Sequence, residues 1–139
     1  MIVLLSFGVA FASSIMALLY AYWLTAKINS QSAGSEKMQE IALAIKQGAM
    51  AYLNRQYKTL AVVVVVLAAA IAALLFFTGS TQQQIIVTVV TFVLGAILSA
   101  VAGYVGMMVS VRANVRTAEA AKHGLRPAFK TAFMGGTVT

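Results

Sequence analysis

The sequence has no cysteine and no aspartate, and its only acidic residues are three glutamates, Glu36, Glu40 and Glu119. Without cysteine there is no disulfide framework, no thiolate metal site and no cysteine nucleophile. Without aspartate, three glutamates cannot build a multinuclear Mg²⁺ cage, which needs clustered carboxylates. None of the three lies in an apolar run. The chain therefore lacks the ionisable group at membrane depth that a self-contained proton rotor or small proton-coupled exporter requires. Glu36 and Glu40 stand one turn apart with Lys37 between them, the pattern of a solvated helix face. The single histidine, His123, sits beside Gly124 near an expected helix end, where it can help cap carbonyls. Alone it lacks the ligand set of a metal site. A glycine–lysine phosphate loop is also absent, since "MGGTVT" has neither the lysine nor the spacing. These absences leave no catalytic, cofactor-binding or metal-binding residue to nominate in this chain.

Charge of either sign is scarce. Only 9% of the 139 residues are charged and 61% are hydrophobic, whereas an ordinary soluble domain is about 25% charged. Mean hydropathy is +0.90, and the composition is that of an all-α membrane protein. The formal net charge of +7 would suit nucleic acid if the basic residues formed a solvated face with interleaved aromatics. They cluster instead at the ends of apolar runs, so the expected partner is the lipid bilayer and no nucleic acid.

What the sequence does contain is three long uncharged runs. Residues 2–26 form the first, ending in "LLYAYWLTAK". As helix it would reach about 37 Å, enough to cross a hydrocarbon core of about 30 Å with some tilt. Tyr20, Tyr22 and Trp23 lie just before Lys27, the pattern of an interfacial aromatic belt. A cleaved signal peptide fits poorly: no positive region precedes the run, the run is long, and no small-x-small cleavage site follows. After the polar "INSQSAGSEK", with Gly34 as breaker and Ser35 as N-cap, the period becomes helical. Met38, Ile41, Ala42, Ile45, Ala49, Tyr52 and Leu53 share one face, and the helix is expected to run on into a second span at 59–78. The uncharged "TGSTQQQ" makes a short polar turn. A third span, 84–111, carries Gly95, Ser99, Gly103, Gly106 and Ser110 at helical spacing, a small-residue stripe suited to close helix packing. Beyond it, "ANVRTAEAAKH" continues as helix to Gly124, and Pro127 is placed to open a truncated fourth helix that stops at Thr139. The chain reads as the front end of something longer.

All ten basic residues fall in 27–58 and 112–130, and none lies before the first span or in the turn at 79–84. By the positive-inside rule both basic segments are cytoplasmic and the N-terminus is outside, in a multi-pass protein of the cell membrane. This placement bears on Arg112, Asn114 and Arg116, which end an uncharged stretch that begins at Gln82. Either they anchor the third helix at the membrane surface or they contact an anion. The topology favours anchoring and packing.

The stretch "GSEKMQEIALAIKQGAMAYLNRQYK" followed by a valine-rich span resembles the first cytoplasmic loop and second helix of membrane-bound, ion-translocating pyrophosphatases. "GAILSAVAGYVGMMVSVRANVRTAEAA", then "GLRPAFKTAFMGGTVT", resembles their third helix and the beginning of the fourth. The resemblance covers essentially the whole chain. It implies a homodimer with sixteen helices per subunit in two concentric rings, hydrolysing Mg²⁺-pyrophosphate and exporting H⁺ or Na⁺, with K⁺ as a possible further cofactor. The family's aspartate-rich substrate motifs have no counterpart here, and what is present resembles outer-ring helices. The fragment alone is therefore expected to be inactive. The alternative from a different class is a small non-enzymatic membrane scaffold or assembly subunit, which a stop codon directly after Thr139 would favour.

The one-sided distribution of basic residues has a direct test. A topology reporter fused at Gln31 or Gly124 should read cytoplasmic, and one fused at Ser80 should read external. A cytoplasmic signal at Ser80 would refute the three-span arrangement.

Overall fold

The computed structural model describes the backbone of residues 2–138 and the side chains of residues 3–138. Met1 and Thr139, where the truncated fourth helix was expected to stop, lie outside the described residues. Four helices follow one another: α1 Ile2–Asn29, α2 Glu36–Phe77, α3 Gln82–Ala121 and α4 Leu125–Val138. Three of them, α1 to α3, are long and apolar enough to cross a membrane.

Two of these helices are much longer than a bilayer requires. With 42 residues, α2 spans about 63 Å and α3, with 40, about 60 Å, roughly twice the hydrocarbon thickness. Composition divides each of them. The first half of α2 carries the charged residues 36–58 and its second half is uncharged, whereas α3 is uncharged until Arg112. The helical face expected from residue 36 onward thus continues unbroken into the second span.

The side chains of the apolar runs face outward. Leu4, Phe7, Phe11 and Leu18 on α1 are each more than 70% exposed, as are Phe76 and Phe77 at the end of α2. That is the surface of a segment made for lipid or for further helices. Several hydroxyls in these runs bond to their own helix. Ser13 and Ser14 donate to the Ala10 carbonyl, Thr25 to Ala21 and Thr91 to Val87. In hydrocarbon no water is available, so a hydroxyl that bonds within its helix avoids the cost of an unmet donor.

The connection between α2 and α3 is short because both helix ends satisfy themselves. At the end of α2 the Ser80 N–H donates to the Leu75 carbonyl and the Gly79 N–H to Phe76. This is a Schellman motif, turned by Gly79 at φ +76. At the start of α3, Thr81 and Gln84 form a reciprocal capping box. The Gln84 N–H donates to Thr81 Oγ1 and the Thr81 N–H to Gln84 Oε1. The polar turn was legible as a turn, and the T-x-x-Q spacing already carried the capping box.

By contact density the described chain forms two compact units, one of residues 1–45 with 106–139 and one of residues 46–105. In the second unit the Tyr57 hydroxyl of α2 donates to the Ala100 carbonyl of α3 at 2.7 Å. Tyr104 of α3 places its hydroxyl 3.9 Å from the Met50 sulfur. In the first unit, Leu24 and Ile28 of α1, Val109 and Ala113 of α3 and Met134 of α4 form a buried apolar cluster, with Val138 packed against it.

The small-residue stripe is used unevenly. Gly106 is buried and Ser110 half-buried. A Cβ on Gly103 would sit 3.7 Å from the Tyr57 hydroxyl, an ordinary contact, and one on Gly95 would meet nothing within 4 Å. The tightest approach between helices lies elsewhere, where a Cβ on Gly135 of α4 would come within 2.7 Å of the Ala113 Cβ of α3. The start of α4 also differs from the expectation. It begins at Leu125, two residues before Pro127. Proline is tolerated there because first-turn N–H groups have no partner within the helix.

The contact at Gly135 makes a specific prediction. Gly135→Ala should lower the thermal midpoint of the complete protein, although alanine is the better helix former by about 1 kcal/mol. Adding Ala113→Gly should restore much of the loss, because it removes the opposing methyl. An unchanged midpoint in the single variant, or no recovery in the double, would contradict the close contact.

Candidate functional site

The polar features of the first unit converge where α1 ends. A helix end leaves carbonyls without intrahelical donors, and these need partners wherever water is scarce. In this chain local donors serve the Ala26, Lys27 and Ile28 carbonyls, and a side chain from α3 supplies those of Asn29 and Gln31. Arg116 Nε donates to the Gln31 carbonyl at 3.2 Å, and its Nη2 donates to the Asn29 carbonyl at 3.4 Å. Its Nη1 donates to the Arg112 carbonyl of its own helix at 2.9 Å. All three guanidinium nitrogens therefore face carbonyl oxygens, two of them just past the negative end of the α1 dipole. Arg116 lies beyond the third span. Burial, and secondarily the neighbouring charge of Arg112, lower the pKa of its guanidinium below the usual arginine value. Arginine starts so high that it stays cationic at any physiological pH.

Gln31 also joins α1 to α4. Its side-chain oxygen accepts a hydrogen bond from the Thr131 hydroxyl at 2.9 Å, and Thr131 is buried. One residue thus accepts from α3 through its backbone and from α4 through its side chain, just above the apolar cluster of Leu24, Ile28 and Met134.

Around this junction lies an open cleft of about 360 Å³, lined among others by Lys27, Arg116, Glu119, His123, Lys130 and Thr131. Lys27 holds its ammonium 4.5 Å from the centroid of the Trp23 ring, a cation–π contact that fixes it at the level of the aromatic belt. Glu119 forms an ion pair with Lys122 across one turn of α3. The pair is close but not aligned as a hydrogen bond, so its Oε2 is neutralised without being satisfied. The same oxygen lies 2.6 Å from where a Cβ on Gly34 would stand, and Gly34 has φ +78. Glycine at the α1–α2 connection is thus required both by its backbone conformation and by the carboxylate beside it.

The structure separates the residues of the "RANVRT" stretch. Arg116 ties α3 to the end of α1. Arg112 and Asn114 are exposed, and Asn114 borders an apolar groove that also contains Met38, Ile41 and Val115. Glu36 and Glu40 are exposed on α2, while Glu119 is half-buried against Lys122. Among the described residues, no three His, Cys, Asp or Glu side chains group as metal ligands would. The residues present therefore do not fit a Mg²⁺ site: two of the three carboxylates are apart from the third, and the third is engaged by a lysine. Nor does the cleft contain a carboxylate pair or an activated nucleophile.

The model of the family described as inorganic H⁺ pyrophosphatase matches residues 15–139. The chain belongs to this family. Among its curated relatives is the K⁺-insensitive pyrophosphate-energized proton pump 2 of Moorella thermoacetica. It is 43% identical over 128 residues, covering 92% of this chain and 18% of the relative. A K⁺-insensitive pyrophosphate-energized proton pump of Methanosarcina mazei is 45% identical, covering 91% of this chain and 18% of that protein. A Clostridium tetani protein, provisionally named a K⁺-stimulated pyrophosphate-energized sodium pump, is 44% identical over 91% of this chain and 17% of its own length. The chain thus spans less than a fifth of the length of these relatives, matching their N-terminal part. No solved structure matches it.

The two arginines of the stretch should behave differently when replaced. Arg116→Ala should destabilise the complete protein by about 1–3 kcal/mol, the range for hydrogen bonds to a charged group, with the lower end favoured by partial exposure. Arg112→Ala should cost well under half of that, because its side chain is exposed. Arg116→Lys should not restore stability, since an ammonium cannot reproduce the planar fork across three carbonyls. Equal losses for Arg112→Ala and Arg116→Ala in thermal unfolding would argue against the fork.

Proposed function

We propose that this chain is the first part of a pyrophosphate-energised ion pump, contributing three membrane spans and the start of a fourth to a larger helical bundle. The complete protein hydrolyses Mg²⁺-pyrophosphate to two phosphates and uses the energy to export H⁺ or Na⁺, working as a homodimer in the cell membrane. The observation that carries this reading is the identity of 41–45% to several relatives named as such pumps, over nine-tenths or more of the chain. The N-terminus lies outside, and residues 27–58 and 112–130 face the cytoplasm, as supported by the gathering of all ten basic residues in those segments. The names of the relatives divide between K⁺-insensitive and K⁺-stimulated pumps, so K⁺ is a cofactor for some members and not for others.

In this reading the present chain holds neither substrate nor metal. A site for Mg²⁺-pyrophosphate needs acidic groups to hold metal ions that stabilise charge and prepare a nucleophilic water. The carboxylates here are too few, and Glu119 is committed to Lys122. The part played by these helices is structural: they hold the positive end of the bundle together and present apolar surface to lipid or to the remaining helices.

The test compares the chain with the complete protein. The purified 139-residue chain should release no phosphate from pyrophosphate, with or without Mg²⁺. The complete protein should be active, and Glu36→Gln or Glu40→Gln within it should change the rate less than about twofold, since removing a solvated carboxylate disturbs little. Mg²⁺-dependent turnover by the isolated chain, abolished by Glu119→Gln, would overturn both the fragment reading and this account of the carboxylates.

A further inference from the structure

We propose that the cleft between the end of α1 and the start of α4 binds the phosphate of an anionic phospholipid, with Lys27 and Lys130 as its charged contacts. The first argument is uncompensated charge. Lys27, Arg116 and Lys130 all line the cleft. The single carboxylate there, Glu119, is already paired with Lys122, just past the end of its helix. Among the described residues neither Lys27 nor Lys130 has a carboxylate partner, and Lys27 rests on the face of Trp23. Several like charges around one concavity attract an anion from outside the chain.

The second argument concerns which anion. Arg116 spends its three nitrogens on the carbonyls of Gln31, Asn29 and Arg112. The planar fork that would grip a soluble phosphate or pyrophosphate is therefore largely committed. Two flexible lysines remain, which act as point charges and suit a phosphodiester held loosely at a surface. The volume, about 360 Å³, far exceeds the roughly 30 Å³ of a water molecule.

The third argument is location. Lys27 is one turn from Trp23, which is 51% exposed, and near Tyr20 and Tyr22, at 53% and 78%. On α4, Phe129 and Phe133 stack on one another and are both about two-thirds exposed. A basic cleft flanked by exposed aromatic and apolar side chains on both of its helices offers a headgroup site with room for acyl chains alongside. Basic pockets between helices at a membrane surface bind anionic headgroups for these reasons. A free phosphate would have no use for the apolar flanks.

The experiment uses the complete protein purified in a non-ionic detergent. Its thermal stability is followed while phosphatidylglycerol, phosphatidylcholine or inorganic phosphate is added, and bound lipid is counted by native mass spectrometry. Phosphatidylglycerol should stabilise the protein and remain bound, whereas phosphatidylcholine should do neither. The variant Lys27→Gln/Lys130→Gln should need about tenfold or more phosphatidylglycerol for the same shift, given the usual contribution of a lysine near an anionic surface. The control Lys37→Gln/Lys46→Gln, which removes two exposed lysines outside the cleft, should respond as the wild type. If the double variant at the cleft fails to fold, the single variants Lys27→Gln and Lys130→Gln are read instead, each expected to weaken the response a few-fold. An equal response to phosphatidylcholine, or equal weakening in the control pair, would overturn the proposal. A matching shift with inorganic phosphate would assign the cleft to a soluble anion and overturn it too. None of these readouts requires pyrophosphate turnover, so the outcome is independent of the pump reading.

Discussion

The arrangement of the first unit depends on the carbonyl oxygens at the end of α1. A membrane helix must end where its last carbonyls can find donors, and water supplies them only at the surface. Here the fork of Arg116 reaches the Asn29 and Gln31 carbonyls from α3, and Gln31 in turn accepts from Thr131 of α4. These few bonds bring three helices to one point. The apolar cluster of Leu24, Ile28, Val109, Ala113 and Met134 packs directly below. Hydrophobic burial cannot order helices that all sit in an apolar solvent, so dispersion contacts and directed hydrogen bonds must do so. Arg116 provides the directed part, and the Gly135–Ala113 approach provides close dispersion contact.

The two overlong helices make this possible. Had α3 stopped at the membrane surface near Val111, residue 116 would not be on a helix and could not present its side chain in a fixed direction. By continuing to Ala121, α3 keeps Arg116 and Glu119 on a helix within the first unit. The hairpin at the other end of α2 and α3 has the opposite character. It is closed by a Schellman motif and a capping box without any charge. Local hydrogen bonding closes this hairpin, whereas long-range charged hydrogen bonds serve the end of α1. None of the ten basic residues lies in the turn at 79–84.

Much of this was legible in the sequence, and the rest was hidden for identifiable reasons. The three spans follow from uninterrupted apolar runs, because their length against bilayer thickness leaves few alternatives. The continuation of α2 from Glu36 into the valine-rich span followed from an unbroken helical period. The capping box at Thr81 and Gln84 went unread, although its spacing is local. What could not be read was any pairing across long sequence distance. The spacing of Gly95, Ser99, Gly103, Gly106 and Ser110 identified a face but not its partners. In the fold, Gly106 is buried, while a Cβ added to Gly95 would meet nothing within 4 Å among the described residues outside its own helix backbone. A close approach joins Ala113 and Gly135, which no periodicity links. Likewise "RANVRT" showed two arginines one turn apart. Only the fold distinguishes them, since the carbonyls that Arg116 meets lie 85 and 87 residues away.

That distinction explains the residue types. A lysine at 116 could reach one or two carbonyls as a point charge, but its donors are not held in a plane and its ammonium is more costly to strip of water. The position needs a group that stays charged when partly buried, and arginine alone does so without risk of neutralisation. Lysine suffices where no planar set of acceptors must be matched: at 27 above the Trp23 ring, at 122 beside Glu119, and at 130 on the open side of the cleft. The arginine at 116 thus follows from the geometry of its three carbonyl partners, since net charge would be the same with lysine.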